Sequence, residues 1–514
     1  MSYIIITLLT FISPLIYGYY YGVIDHHHYL PYLNKLVDSS LYLKDYYFSQ
    51  PHNTYSIFNY FIVFITNFFH LSLAWTHLIY YCISLWLLYF SIYYLSQTLY
   101  KKKLVSFLAV VFFILPKWAA QIGYMTHHFY FVSRDLSLGL SLLALSFILL
   151  NKKIYSLLVL ILAVLVNPSI PIPVFIFWFY RYFLQTKIFP GFIGLNPSWV
   201  NTIRQRGTYS FPHLWNWTGW GNLVLFLSLL GSSYLYFKNK LFGKYQKQLK
   251  TFIIICLFLF LFHSLIALIY PHPLIIQLQL LRSINLVFII SLISFSYLIY
   301  TIFNTRYLVH QLTTILALVG VFLWEDHLTI YHFTLIWGLP ASLFLLKKDF
   351  IKLKLKPVYL KYFIIVTLIA FSSYKLLIIK PQIKLPLYFH YPNALIKDLS
   401  QYKTWLDLQL WVKNNTDKTA IFLTPPTIAG FRDFSQRGIV GDLKDGGVSF
   451  YSADYANIWQ EKMIDLTDFN QLSTQDFLSL QSKYNFNYLV VTQEHQLLDY
   501  ILIYQNQDYR LYQL

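Results

Sequence analysis

The sequence predicts an α-helical polytopic membrane protein of about eleven transmembrane helices, with a small α/β domain on the extracytoplasmic side. Three observations predict it. The 514 residues are 57% hydrophobic and only 12% charged, where soluble chains carry about 25% charged residues. Apolar runs such as Leu104–Ile122, Phe252–Ile269 and Ile284–Phe303 approach the ~20 residues that cross a ~30 Å hydrocarbon core. Finally, acidic residues are scarce before residue 380, where only seven occur, while the other fourteen lie in Lys380–Leu514. That shift in composition marks a boundary between a transmembrane domain (1–379) and a soluble extracytoplasmic α/β domain (380–514).

The first apolar segment, Tyr3–Tyr20, has neither a basic leader nor a small-residue cleavage site, so it reads as a retained signal anchor. Basic clusters at Lys101–Lys103, Lys152–Lys153, Lys238–Lys250 and Lys347–Lys356 lie between apolar runs, as cytoplasmic loops do. With the N-terminus inside, the polar stretch from Gly22 to about residue 75 is the first outer loop. Parity then requires one crossing before Lys101. It is assigned to Thr76–Ser96, and Ser56–Ala74, with its Asn59, Asn67 and His70, is laid at the outer interface. Further spans are expected at Leu104–Ile122, Leu136–Leu150 and Ile154 to about Phe183. This last run is interrupted by Asn167-Pro168-Ser169-Ile170-Pro171-Ile172-Pro173, and such a break is tolerated where it borders a cavity; a short hairpin is the alternative. The loop from Gln185 to Gly221 carries Trp215, Trp217 and Trp220, which suit the membrane interface. Spans at 222–237, 251–270, 284–303, 308–323, 328–346 and 359–379 complete the bundle.

In the last segment, Tyr402–Lys413 has the spacing of an amphipathic helix. Ala420–Thr424, Tyr488–Thr492 and Tyr509–Leu514 read as short strands. The net charge of +18 follows the membrane loops rather than a basic-aromatic face, which excludes nucleic acid as a partner. Cys82 and Cys256 sit in apolar runs, so no disulfide framework is expected.

A carboxylate at a membrane boundary is costly unless it meets water or a partner. Asp25, just after the first span, is the leading candidate, with Asp45 twenty residues on. Either would serve as general base on an acceptor hydroxyl or as ligand of a divalent metal; the structural alternative for Asp25 is a cap on a helix starting near His26. The adjacent His26, His27 and His28 cannot all face one ion, so zinc is disfavoured even with His127 and His128 of another outer loop. His27 and His28 are instead expected to hydrogen-bond a polar substrate or lipid headgroups. Only six arginines precede residue 380. Arg134, Arg204, Arg206 and Arg282 fall in or beside outer loops, against the positive-inside bias, and a guanidinium there suits a phosphate. In the tail, Arg432, Asp433, Arg437 and Asp442 read as a local ion-pair network.

This pattern resembles the GT-C membrane glycosyltransferases, which include the protein O-mannosyltransferases, the lipid A aminoarabinose transferase and the oligosaccharyltransferases. Uncharacterised bacterial membrane proteins of this type are closer still. The resemblance is carried by architecture and by four short motifs: Asp25-His26-His27-His28-Tyr29-Leu30-Pro31, Asn167-Pro168-Ser169, Gln279-Leu280-Leu281-Arg282-Ser283, and Gly430-Phe431-Arg432-Asp433-Phe434-Ser435-Gln436-Arg437. It implies transfer of a sugar from a polyprenyl-phosphate donor to a glycan, lipid or protein acceptor on the outer side. Asp25 would be the base, and arginines would hold the donor phosphate. Histidines follow Asp25 where the mannosyltransferases have a paired Asp-Glu. The implied location is a bacterial inner membrane. A transporter or flippase, or a non-catalytic assembly protein, uses the same polar groups; paired broken helices would mark a transporter, and the sequence shows a single Pro-rich break.

Overall fold

The computed structural model describes residues 2–49, 57–182, 197–304, 308–324, 336–339, 399–450 and 452–514. These residues are mostly helical and end in a small sheet domain. Among the described residues four helical stretches are long and apolar enough to cross a membrane: Leu73–Tyr100, Trp217–Phe237, Gly243–Ile269 and Pro273–Phe303. The chain is a membrane protein. It forms two compact units, one of Met1–Tyr19, Leu78–Ile193 and Thr208–His390, the other of Tyr20–His77, Gly194–Gly207 and Tyr391–Leu514. The spans expected at 328–346 and 359–379 fall almost wholly outside the described residues.

The first unit is built around the Ser283–Phe303 helix, which is buried along nearly its whole length. It packs against Lys103–Val111, Trp217–Phe237 and Gln246–Ile269. Its serines tie it to its neighbours: Ser283 Oγ donates to the Cys256 carbonyl at 2.8 Å, and Ser291 Oγ to the Phe226 carbonyl at 2.7 Å. Such side-chain bonds hold apolar helices together where lipid supplies no hydrophobic drive. The Ser133–Leu149 helix packs on Lys153–Val166 in the same way, Ser137 Oγ donating to the Ala163 carbonyl at 2.9 Å.

Two sequence expectations meet different outcomes here. The break at Asn167 is present: one helix ends at Val166 and the next runs Ile172–Tyr182. Asn167 Oδ1 accepts from the Ser169 hydroxyl at 2.7 Å and its amide at 3.2 Å. The span expected over Leu104–Ile122 is not a helix throughout; the helix stops at Val111. Pro116 disfavours helical geometry in the residue before it. The chain then folds back on itself, Lys117 and Thr126 bonding through Lys117 N to Thr126 Oγ1 at 3.0 Å and Thr126 N to Lys117 O at 2.9 Å. The Lys117 ammonium, fully buried, donates to the carbonyls of Val321 and Trp324 at 2.7 and 3.0 Å. It thereby satisfies carbonyls at the end of the Leu308–Leu323 helix, where a cation is favoured by the helix dipole.

The second unit holds a five-stranded mixed sheet of order β2-β1-β3-β5-β4. Its strands are β1 (Ile421–Leu423), β2 (Gly438–Ile439), β3 (Tyr488–Thr492), β4 (Ile501–Gln505) and β5 (Tyr509–Gln513). β1 runs parallel to β2 and β3, and β5 antiparallel to β3 and β4. Alternation sends Phe422 and Val490 to one face with Trp405, Leu408 and Val412 of the Leu399–Asn415 helix. Leu423, Leu489 and Val491 face the other way, against Leu466, Phe477 and Leu480. The Thr474–Tyr484 helix on that side begins with a capping box, Ser473 and Asp476 each bonding the other's backbone, a local stop signal for the preceding turn.

Residues of the Tyr20–His77 stretch complete this unit. The helix expected near His26 runs His26–Val37. Tyr32, Leu41, Tyr42, Tyr47 and Phe48 form one apolar cluster with Val448, Tyr455 and Trp459 of the last segment. Ile57–Phe68 is a helix with an exposed apolar face of Ile57, Tyr60, Phe61, Phe64 and Phe68, the surface a helix lying at the interface presents to lipid.

Candidate functional site

Asp25 occupies the residue before the His26–Val37 helix, yet its side chain makes no capping bond. An N-cap carboxylate reaches the helix amides from extended backbone geometry; Asp25 has φ −78° and ψ −17°, which turns the carboxylate away. Its Oδ1 instead accepts from the Lys444 ammonium at 3.1 Å, both side chains being about three-quarters buried. Lys444 starts a 3₁₀ turn, Lys444–Phe450, that contains Gly446 and Gly447. A Cβ on Gly447 would lie 2.6 Å from His28 Nε2, and one on Gly446 would lie 2.5 Å from Arg206 Nε. The two glycines therefore let the backbone pass directly beside an imidazole and a guanidinium.

His28 is fixed from its other nitrogen, Nδ1 lying 3.1 Å from the Tyr47 hydroxyl. Burial first, and then the charge of Lys444, push this imidazole well below its usual range, against the opposing pull of Asp25. His28 is thus a neutral ring at physiological pH, able to donate or accept a hydrogen bond. Arg206, at the end of the Pro197–Arg206 helix, lies 5.2 Å over the Trp459 ring, a cation–π contact. Arg204 is two residues back on that helix and so faces a different way. His27 Nδ1 lies 2.6 Å from Asp433 Oδ2.

Asp45 is also in this unit, but its carboxylate is fully engaged. Oδ1 accepts from Tyr47 N at 3.0 Å and Arg432 Nη2 at 3.1 Å; Oδ2 accepts from Arg432 Nε at 2.6 Å and Ile439 N at 3.0 Å. Arg432 further pairs with Asp445, Nη1 to Oδ1 at 2.8 Å. The tail residues expected to pair locally are divided among other partners. Arg437 donates to the carbonyls of Lys413 and Thr416 at 2.8 and 2.6 Å, closing the end of the Leu399–Asn415 helix. Asp442 Oδ1 accepts from the Asp445 amide at 2.9 Å, and burial, then the Asp445 carboxylate, push its carboxyl up to about 7 against the pull of Arg432.

In the first unit Arg134 and Arg282 come together on one aromatic ring. Their guanidinium carbons lie 5.5 and 5.8 Å from the ring centre of Tyr124, and both side chains are largely buried. Arg282 Nη1 also donates to Ser169 Oγ at 3.4 Å, which brings two of the sequence motifs into contact. Asp135 is paired with His128 rather than with its neighbour Arg134, Oδ1 to Nδ1 at 2.9 Å.

Asp25, His27, His28 and Arg206 are therefore grouped in one unit and Arg134 and Arg282 in the other. Lys444, Asp433 and Tyr124 are partners that the sequence reading did not single out for a site. Asp433 lies in the Gly430–Arg437 motif, but nothing in the chain marks Lys444, or Tyr124 among 46 tyrosines. Among the described residues no three His, Cys, Asp or Glu side chains are grouped as metal ligands.

Residues 403–466 match a family described as a domain of unknown function, DUF6798. That stretch contains Asp433, Lys444 and the Gly446–Gly447 turn. No curated protein matches the chain. Among solved structures, the archaeal oligosaccharyltransferase AglB from Archaeoglobus fulgidus, in complex with an inhibitory peptide and a dolichol-phosphate, superposes with a TM-score of 0.38 at 13% identity, covering 96% of this chain and 69% of its own. So loose a superposition carries no argument about this chain.

Proposed function

We propose that the chain is a membrane glycosyltransferase that moves a sugar from a polyprenyl-phosphate-linked donor to an acceptor on the extracytoplasmic side. The observation that supports it most is the setting of Asp25: a carboxylate turned away from the helix it precedes, salt-bridged to Lys444, in a unit that also seats His28 and Arg206 against the Gly446–Gly447 turn.

In the reaction, the acceptor oxygen bonds to the anomeric carbon as the bond from that carbon to the phosphate oxygen breaks, and the electron pair leaves with the phosphate. Asp25 draws the proton from the acceptor hydroxyl. Negative charge grows on the phosphate, and positioned cations favour that change more than they favour the bound donor. Arg134 and Arg282 are assigned to the lipid-linked phosphate, and Arg204, Arg206 and His28 to substrate binding. Asp45, its four hydrogen bonds met by protein, is assigned to holding the unit together. On this reading residues 380–514 face the extracytoplasmic side of a bacterial inner membrane.

The test is transfer of labelled sugar from mixed polyprenyl-phosphate donors by the reconstituted protein, native against Asp25→Asn. Loss of turnover by 10²-fold or more in the variant, with donor binding retained, is expected for a lost base. Donor binding by the native protein without turnover on any acceptor would favour a transporter or assembly role instead.

A further inference from the structure

His27 and Asp433 form a pair that the sugar-transfer reading leaves unexplained. Asp433 has a side chain with no exposed surface, and its Oδ2 lies 2.6 Å from His27 Nδ1. Its Oδ1 is buried with no hydrogen-bond partner among the described residues. A carboxylate only accepts, so Nδ1 is the donor and carries the hydrogen, which leaves Nε2 with the lone pair. The ring is about one-fifth exposed. The attachment is made at two points. Asn34, seven residues on from His27 and so on the same face of the His26–Val37 helix, donates from Nδ2 to the Asp433 carbonyl at 3.1 Å. Gly430, with φ +88°, gives the ring its room: a Cβ there would lie 2.5 Å from His27 Nδ1. The neighbouring Arg432 is turned to Asp45 and Asp445, so the donor nearest the Asp433 carboxylate is the imidazole.

We propose that His27, oriented by Asp433, is a proton carrier that takes up at Nε2 the proton released by the acceptor. The inference rests on the sugar-transfer reading for the source of the proton. The acceptor hydroxyl gives its proton to Asp25, and Asp25 passes it through water to His27 Nε2. His27 then releases it to solvent, and the Asp25 carboxylate is restored for the next turnover. No oxidant or co-reactant is involved. His27 is the proton-carrying residue, and Asp433 is a positioning residue that acts through it.

Two measurements on the full chain in liposomes test this. The first is carbethoxylation by diethylpyrocarbonate, mapped by peptide mass over the sixteen histidines. His27 is expected among the fastest to react, and Asp433→Asn is expected to slow it severalfold while the buried His128 and His495 keep their native rates. Equal His27 rates in native and variant overturn the dyad, and general labelling of all histidines in the variant does so too by showing a merely structural role. The second is release of polyprenyl phosphate from mixed tritium-labelled hexosyl polyprenyl phosphates. His27→Ala is expected to lower kcat about 10²-fold with KM for the donor unchanged, and free imidazole in the buffer to restore part of it. A native kcat, or a loss that imidazole does not rescue and that raises KM, overturns the carrier role while sugar transfer stands. Absence of release by the native protein removes the transfer reading and the carrier role together; selective labelling of His27 would then survive as a property of the dyad alone.

Discussion

The guanidinium of Arg432 grips the carboxylate of Asp45 through two nitrogens, Nε at 2.6 Å from Oδ2 and Nη2 at 3.1 Å from Oδ1. Both side chains are nearly inaccessible to water. Removing one partner of a buried pair leaves the other charged and uncompensated, at a cost of about 3–5 kcal/mol. Arg432→Ala is expected to lower stability by that order, and Arg432→Lys to recover only part, since an ammonium cannot reproduce the fork. Thermal unfolding of the full chain in detergent, followed by tryptophan fluorescence, checks it; an unchanged midpoint for Arg432→Ala would refute the pairing.

Asp45→Asn is expected to behave differently from Asp25→Asn. Its effect should be a lower unfolding midpoint, with turnover per folded molecule retained. A variant as stable as the native chain but inactive would return Asp45 to the role of base.

A pH dependence follows from Asp442. Burial, then Asp445, holds its carboxyl at about 7 in the folded chain, above the ~3.9 of an unfolded aspartate. A raised acid favours folding most fully below its unfolded pKa, and that contribution is lost as pH rises through the folded value. Asp442→Asn is expected to stabilise the chain at pH 8 by several degrees. The gain should shrink steadily from pH 7 towards pH 4, as read from unfolding midpoints across that range. A gain that does not change with pH would show that Asp442 does not titrate there.

At the Gly446–Gly447 turn, Gly447→Ala places a methyl group 2.6 Å from where His28 Nε2 now lies. Misplacing a site group by about an ångström costs on the order of 10²-fold in rate, so transfer is expected to fall by tenfold or more, with a smaller loss of stability than in Arg432→Ala. Native turnover in this variant would take His28 out of the site.

Arg282→Lys tests the phosphate assignment. A lysine keeps the charge but loses the planar contact with Tyr124 and the reach to Ser169. A charged hydrogen bond contributes about 1.5–3 kcal/mol, so donor affinity should drop by about tenfold or more, measured by competition with unlabelled polyprenyl phosphate. Equal affinity would leave Arg282 a packing residue.

Much of the local structure was legible because its signals are local. The break after Val166 follows from Asn167-Pro168, and Tyr488–Thr492 is a strand because five β-prone residues end in turn signals. The exposed apolar face of Ile57–Phe68 follows from helical spacing. Periodicity cannot tell a buried loop from a span, and that is why Leu104–Ile122 was misread: Phe112–Leu115 are apolar because they are buried in protein. β4 is not marked by an alternating buried face because all five of its residues are exposed or only half-buried. The candidate site was half legible. Asp25 stood out as a scarce acid beside an apolar run, whereas its partner Lys444 is one lysine among many, and the pairing spans 419 positions. Contacts at that separation leave no trace in composition or spacing.

The second unit is assembled from three separate stretches of chain, Tyr20–His77, Gly194–Gly207 and Tyr391–Leu514. A ribosome makes them in that order, with the helices of the first unit synthesised between. Tyr32, Tyr42 and Tyr47 must therefore wait, without the residues that will bury them, until the third stretch has been made. Within it, β5 is made after both of the strands it joins, β3 and β4. The polar groups around Asp25 and His27 thus stay without Lys444 and Asp433 until the last stretch of the chain has been synthesised.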